Sequence, residues 1–339
     1  MKKICSVAIY TGVSKSTTFI ERLIGSMTST GIDIFIFCSE NGRPHATSGV
    51  KYFTAKGKLH QLLIVIRYTI LLLISSPKDK NKLDKFIDSQ SGSKFRKRLK
   101  YYPVLYHRPD IFHLQWAKGI GDWIWVKDFG MKLIVSLRGA HINYSPIADE
   151  ELAETYRTHF KNVDAFHAVS EAIKQEAGKY MSSVDKVEVI KSGLNLNEFE
   201  YREHLELPSA VLKIVSVGRN HWKKNYVSAL DAMAILKTHS LKFDYNIAGI
   251  GEDEALMFQR KQLELEEQVN FLPLLPINET KALITSADVL LLPSVEEGIA
   301  NVVLEAMALG TLVISTDCGG MKEVIQDGKN GFLVPLRDV

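Results

Sequence analysis

The sequence predicts an α/β protein built from two doubly wound, Rossmann-like domains, and three observations carry that prediction. Short apolar runs rich in β-branched and aromatic residues alternate with longer segments of helical pattern, which is the arrangement of a parallel sheet. The alternation is written twice, on either side of a polar stretch at residues 192–210. A chain of 339 residues, 46% of them hydrophobic, is long enough for two domains with separate cores.

In chain order, "ICSVAIY", "IDIFIFC", "IFHLQW", "KLIVSL", "AFHAVS" and "KVEVI" are expected as strands of the first domain. Among the helical segments between them, "LHQLLIVIRYTILLLISS" (residues 59–76) is broken by Arg67 and falls short of the roughly 20 residues that span a bilayer. It is expected as a core helix packed on the sheet, with partial insertion in a lipid surface as the alternative. Behind it, "KDKNKLDKF" and "KFRKRLKYY" crowd Lys and Arg between Lys78 and Lys100, a pattern that an anionic leaflet attracts. The stretch "SGLNLNEFEYREHLELPSA" loses periodicity and reads as a linker, so the domains are taken as residues 1–197 and 198–339. In the second, "KIVSVG", "FDYNIAG", "QVNFLP", "DVLLLPS", "TLVIST" and "GFLVP" are strands, separated by helices such as "NYVSALDAMAILKTH" and "NETKALITSA". Two such domains facing each other would leave a cleft at the carboxyl ends of their strands, where open α/β sheets place ligands.

The net charge of +3 conceals an asymmetry: residues 1–200 carry 29 Lys and Arg against 20 Asp and Glu, residues 201–339 carry 13 against 19. The basic part suits an anionic neighbour, a membrane surface or a nucleic acid, or simply a solvated basic face; nothing beyond charge supports nucleic acid. Cys5, Cys38 and Cys318 have no metal or redox spacing, which fits reduced thiols in the cytoplasm. The start "MKKICSVAIY" lacks a long apolar core and a cleavage site and is expected as a first strand, not an export signal.

Candidate site residues lie just after strands. Following "KIVSVG", Arg219 and Lys224 of "RNHWKKN" converge near a strand end and a helix start, where charge and free amides favour phosphate; a solvated basic turn is the alternative. "AGIGEDEA" holds only part of a dinucleotide fingerprint, with Glu254 in place of the third glycine, and reads as a tight turn. In "EEGIANVVLEAMALG", Ser294 to Gly298 is expected as a loop and Ile299 to Leu309 as a helix. Glu297 then precedes the helix and Glu305 lies about two turns along it. A carboxylate at a helix start is ordinary. Glu305, however, is flanked by Val302, Val303, Leu304, Ala306 and Met307, and its charge needs a partner that sugar or ribose hydroxyls would supply.

These residues carry a resemblance. "EGIANVVLEAMALGTLVIST" resembles the E-x7-E signature of GT-B glycosyltransferases of the large retaining family 4, and "GGMKEVIQDGKNGFLVP" is similar to its continuation. "VGRNHWKKN" resembles the family's GR…K element, "AVSEAIKQEA" and "VEVIKSGLNLNEF" resemble the end of its acceptor domain, and "SKSTTFIERLIGSMTSTGIDIFIF" is similar to the branch that makes colanic-acid-type surface polysaccharides. The resemblance implies two Rossmann-like domains across a cleft. It also implies metal-independent, retaining transfer from a nucleotide sugar to a glycan or lipid-linked acceptor, at the cytoplasmic face of the membrane. The sequence contains no D-x-D pair. By resemblance, Arg219 and Lys224 neutralise the leaving diphosphate, Glu305 binds ribose hydroxyls, Glu297 binds donor-sugar hydroxyls, and the amides of Asn301 and Val302 face phosphate. Gly12, in the loop after the first strand, lets the acceptor domain approach the donor.

The chain departs from the pattern in places. Arg138 of "RGAHI" stands where many relatives have His, and His141 where an acid is common; both are taken with Glu297 as catalytic candidates, Arg138 as a contact to a sugar carboxylate, a phosphate or a backbone carbonyl. Ala300 and Asn225 replace frequent glycines, both tolerably, since Asn accepts a left-handed turn. The sequence ends at Val339, directly after "GFLVP", where relatives continue through further helices. If this is the entire protein, domain closure is expected to be impaired, and the alternative function is a catalytically inactive or truncated sugar-nucleotide-binding protein.

Overall fold

The computed structural model describes residues 6–12, 18–38, 50–53, 55, 57–202 and 210–338. Contacts divide the chain into two compact units, one running up to Ala168 and including Lys174–Glu188, the other made of Val169–Ile173 and the chain from Val189 onward. The division thus falls earlier than residue 197, and a five-residue segment, 169–173, belongs with the second unit. Cys5 and residues 203–209 of the linker lie outside the described residues.

The first unit contains strands β1 (Ser6–Gly12), β2 (Asp33–Cys38), β3 (Val50–Phe53), β4 (Ile111–Leu114), β5 (Lys132–Leu137), β6 (Ala165–Ala168) and β7 (Val187–Val189). They form one sheet in the order β3-β2-β1-β4-β5-β6-β7, with parallel pairing from β3 through to β6. Its helices are α1 (Thr18–Thr28), α2 (Gly57–Ser75), α3 (Pro77–Ser89), α4 (Lys94–His107), α5 (Ile120–Trp123), α6 (Ala140–Asn143), α7 (Ser145–Ala148) and α8 (Glu150–Phe160), while α9 (Glu171–Ala177) straddles the division. All six expected strands are present; β3, "VKYF", is additional, a half-exposed four-residue edge whose Lys and two aromatic residues give no apolar run. Against one side of β1 and β2 pack Ile9, Ile34 and Ile36 with Ile20 and Ile24 of α1, all buried.

Two expectations are corrected in this unit. Gly12 is the last residue of β1, paired with Cys38 after a register shift, and does not lie in the loop beyond the strand. The helix expected as core, residues 59–76, is α2, and it buries only Val65, Tyr68 and Leu72. Seven of its Leu and Ile side chains face solvent instead, because the face that meets α3 and α4 needs only one side of the helix. Its 19 residues and mean hydropathy of 1.5 also make it long and apolar enough to cross a membrane by length and composition, so shortness does not exclude a span. Packing against α3 and α4 places it in the folded unit.

The second unit contains β8 (Leu212–Val217), β9 (Phe243–Ala248), β10 (Val269–Leu272), β11 (Val289–Leu292), β12 (Leu312–Thr316) and β13 (Phe332–Val334), ordered β10-β9-β8-β11-β12-β13 and parallel at every pair. Its helices are α10 (Tyr226–Thr238), α11 (Glu254–Gln262), α12 (Ile277–Thr285) and α13 (Asn301–Leu309). Alternation along β8 shows why both faces of the sheet are covered. Ile214 joins a core with Tyr226, Leu230, Tyr245 and Leu256, whereas Val215 joins one with Leu290, Val303, Leu309 and Val313. Strand order reverses at β8 and β11, as it does at β1 and β4, and at such a reversal the loops leaving the carboxyl ends diverge and open a crevice.

Candidate functional site in the second unit

The crevice beyond β8 and β11 holds most of the residues singled out in the sequence. Gly218 and Arg219 leave β8, a short 3-10 turn at Trp222–Lys224 follows, and Asn225 turns the chain into α10 with φ of 53°. An asparagine is therefore serving in the left-handed position where a glycine would cost nothing. From β11 the chain runs through a loop to α13, which begins at Asn301, two residues later than expected. Ile299 is apolar and fits the periodicity, but the backbone of Ala300 is extended, so helical bonding cannot begin before it. Glu305 is accordingly the fifth residue of α13, little more than one turn from its start.

Glu297 is buried, 8% exposed, in the loop between β11 and α13. Lys224 Nζ donates to its Oε1 at 2.7 Å, the Ser294 hydroxyl donates to the same oxygen at 3.2 Å, and Lys223 Nζ stands 3.6 Å from Oε2. A second tie joins the same loops, the Val295 amide donating to the Lys223 carbonyl at 2.8 Å. The carboxylate thus fixes the lysine across two loops 73 residues apart, and an ammonium with three donors keeps capacity for an anion. Lys223 and Ser294 were not singled out from sequence; the doubled lysine of "WKK" was the available signal for the first, and nothing local marks the second.

Close backbone approach shapes the crevice. Gly249, at φ of 101°, lies against the Gly218 carbonyl, 2.8 Å from where a Cβ would stand, as the tight-turn reading of "AGIG" expects. Gly319, at φ of 53°, lies so close to the Glu297 carbonyl oxygen that a Cβ there would overlap it. The next amide, of Gly320, donates to the Gly298 carbonyl at 2.7 Å. Tyr226 donates its hydroxyl to the Gly218 carbonyl at 3.1 Å; burial and then the Glu297 charge push its ionisation up, so it stays a donor. Burial, reinforced by the charges of Glu297 and Glu296, pushes the Cys318 thiol up to about 11, which leaves it protonated and inert.

Arg219 is exposed beside Asn220, whose side chain donates to Asp253. Asn301 and Val302 form the first turn of α13, where amides have no partner inside the helix and Ala300 supplies no side-chain cap. Glu305 is half-buried four residues after Asn301 and so shares its face of the helix. Charge, free amides and a carboxylate on one face are suited by their chemistry to cradle a phosphorylated, hydroxyl-rich ligand.

Three candidates belong to the first unit. Gly12 closes β1, as described above. Arg138 follows β5 and donates to Gln115 Oε1 at 3.0 Å, and burial lowers it to about 10, still a cation at neutral pH. His141 lies in α6, where its carbonyl accepts from the Tyr156 hydroxyl at 2.9 Å. In the same sheet runs a buried chain unremarked in the sequence, His113 Nε2 to Ser136 Oγ at 2.9 Å and Ser136 Oγ to His167 Nδ1 at 3.0 Å. Burial, followed by the neighbouring His167 and Arg138 charges, lowers His113 to about 3, so this part of the chain is neutral. Among the described residues no group of three His, Cys, Asp or Glu side chains converges as a metal-ligand set.

Residues 197–339, which contain the whole crevice, match the family model described as Glycosyl transferases group 1. A provisionally named colanic acid biosynthesis glycosyltransferase of Salmonella typhimurium is 35% identical over 161 residues, 45% of this chain and 39% of the relative. The amylovoran biosynthesis glycosyltransferase of Erwinia amylovora is 30% identical over 61% of this chain and 52% of the relative. The matched stretches thus span about half or less of these curated relatives. In fold, Anabaena HepE crystallised with UDP-glucose superposes with a TM-score of 0.69 at 17% identity, over 98% of this chain and 86% of that one. The chain therefore has the GT-B fold, and its residues 197–339 match the glycosyl transferases group 1 model.

Proposed function

We propose that the protein is a retaining, metal-independent glycosyltransferase that moves a sugar from a nucleoside diphosphate sugar to a glycan or lipid-linked acceptor in surface polysaccharide synthesis, at the cytoplasmic face of a membrane. The observation that carries the reading is the Lys224–Glu297 pair at the strand-order reversal of the family-matched segment, next to the open start of α13. In the reaction the bond from the anomeric carbon to the diphosphate breaks, the acceptor oxygen bonds that carbon on the same face, and the hydroxyl proton is released. Negative charge grows on the diphosphate. Arg219, Lys224 and the amides of Asn301 and Val302 supply preorganised positive charge for it, and groups fixed in advance around a growing charge lower such a barrier more than any other device. Glu305 takes the ribose hydroxyls, and Glu297 both holds Lys224 and meets the donor sugar. Arg138 and His141 serve the acceptor side, with Gly12 giving clearance at the end of β1.

The relatives' names favour an exopolysaccharide setting, and UDP is the first nucleotide to try because the Anabaena protein holds UDP-glucose. Calorimetric titration with UDP, GDP and their sugar conjugates tests the donor site. One nucleotide should bind saturably, and Glu305→Ala and Arg219→Ala should each weaken it about tenfold with the fold unchanged, as expected for losing one charge-assisted contact. Wild-type affinity in both variants removes the assignment. Binding without turnover against any glycan acceptor would favour the inactive sugar-nucleotide-binding alternative.

A further inference from the structure

We infer that α2 is a membrane-docking helix that lies in the surface of an anionic bilayer with its outward apolar stripe inserted. Leu59, Leu62, Leu63, Ile66, Ile70 and Leu73 recur at three- and four-residue intervals, so they form one stripe along the helix, and all are exposed; Ile74 extends it at 78%. Val65, Tyr68 and Leu72 occupy the opposite side and are buried, with the Tyr68 hydroxyl 3.0 Å from His107 Nε2 of α4. Only 11% of the most apolar 18-residue window is buried, which is far from a core helix. A helix anchored along one side to α3 and α4 presents its other side in a plane, the geometry of a helix lying on a bilayer and not through it.

Charge selects the occupant. No Asp or Glu occurs in α2, and Lys58 and Arg67 fall by helical spacing on either edge of the stripe. Residues 57–100 hold eleven Lys and Arg against three Asp. Those acids are already engaged, Asp84 with Lys80 at 2.7 Å, Asp79 with Arg108, and Asp88 with Arg98 at 3.9 Å. An apolar stripe rimmed by cations matches acyl chains below and anionic headgroups at the rim. It matches a second copy of this chain poorly, because a two-fold contact through α2 would bring like cations together. Arg67 and Arg96 also line a cavity of about 660 Å³ at the carboxyl ends of β1, β2 and β3, floored by Tyr10, Phe37 and Phe53, which gives a headgroup phosphate two cations to meet. This deepens the proposed membrane setting but stands on α2 alone.

The test is cosedimentation of the whole chain with vesicles of phosphatidylcholine, alone or mixed with phosphatidylglycerol, at low and high salt, each sample also titrated with UDP. The wild type should bind the anionic vesicles and release with salt. Ile66→Glu/Ile70→Glu, at exposed positions, should bind about tenfold or more weakly, and Lys58→Gln/Arg67→Gln about five-fold more weakly per charge removed. No wild-type binding to anionic vesicles, or equal binding by wild type and Ile66→Glu/Ile70→Glu, overturns the inference. So does a dimer that Ile66→Glu/Ile70→Glu converts to monomer without any vesicle binding. UDP affinity unchanged while vesicle binding is absent strikes the docking helix alone; absent UDP binding by a wild type that docks strikes the donor site alone.

Discussion

Lys224 and Glu297 were each visible in the sequence as charged residues near a helix start, yet their meeting at 2.7 Å was not, because the ladder between β8 and β11 brings the two loops together. Both side chains are mostly buried, and removing Lys224 leaves the Glu297 carboxylate only the Ser294 hydroxyl at 3.2 Å and the more distant Lys223 at 3.6 Å. Lys224→Ala is expected to cost about 3 kcal/mol of stability and to weaken nucleotide binding. Lys224→Ala/Glu297→Gln should recover most of that stability and none of the affinity. Urea unfolding and nucleotide titration on the same samples separate the two effects; recovery of affinity in the double variant would show that the lysine never meets the ligand. The sequence also shows Arg138 and His141 but not the hydrogen-bonded His113–Ser136–His167 chain, since the partners come from three strands and carry no shared motif.

Among the elements, those with strict periodicity and long apolar runs were legible in the sequence, while those set by neighbours were not. The two-residue delay of α13 came from an extended Ala300 that periodicity does not see, and β3 was missed because an edge strand needs little apolar side chain. The outward face of α2 is the larger lesson. Hydropathy shows that a helix is apolar but not which of its faces the unit leaves uncovered. Its supports, α3 and α4, are pinned by Asp84, which accepts from Lys80 at 2.7 Å, Tyr102 at 2.6 Å and Arg98 at 3.1 Å. Burial alone would raise this carboxyl, but the three donors outweigh it and hold it below the ordinary range. A depressed folded pKa means stability present above the unfolded value and lost as pH falls through the folded one. Asp84→Asn is therefore expected to cost about 2 kcal/mol near neutrality and to flatten the acid side of the stability profile. Urea midpoints from pH 7 to pH 3 check it; an unchanged acid slope would assign the loss to another carboxylate.

At the scale of the whole molecule, both sheets reverse strand order at the same step, after their third strand in spatial sequence; the doubled alternation of the sequence shows two doubly wound sheets but not where each reverses. The charge is not doubled: the basic excess lies before residue 200 and the acidic excess after it. At its isoelectric pH the chain should still be retained by a cation exchanger and elute with modest salt, since a segregated basic excess meets the matrix even when the net charge is zero. Passage through unretained would mean that the fold disperses the excess. The contact of Gly319 with the Glu297 carbonyl has a consequence for heredity. Every missense change of a glycine codon introduces a Cβ, and at this position the space is already occupied by the backbone that carries the site's buried acid. Codon 319 therefore has no neutral missense neighbour, and in a saturation screen read by the yield of folded protein its synonymous codons should pass and every amino-acid substitution should fail.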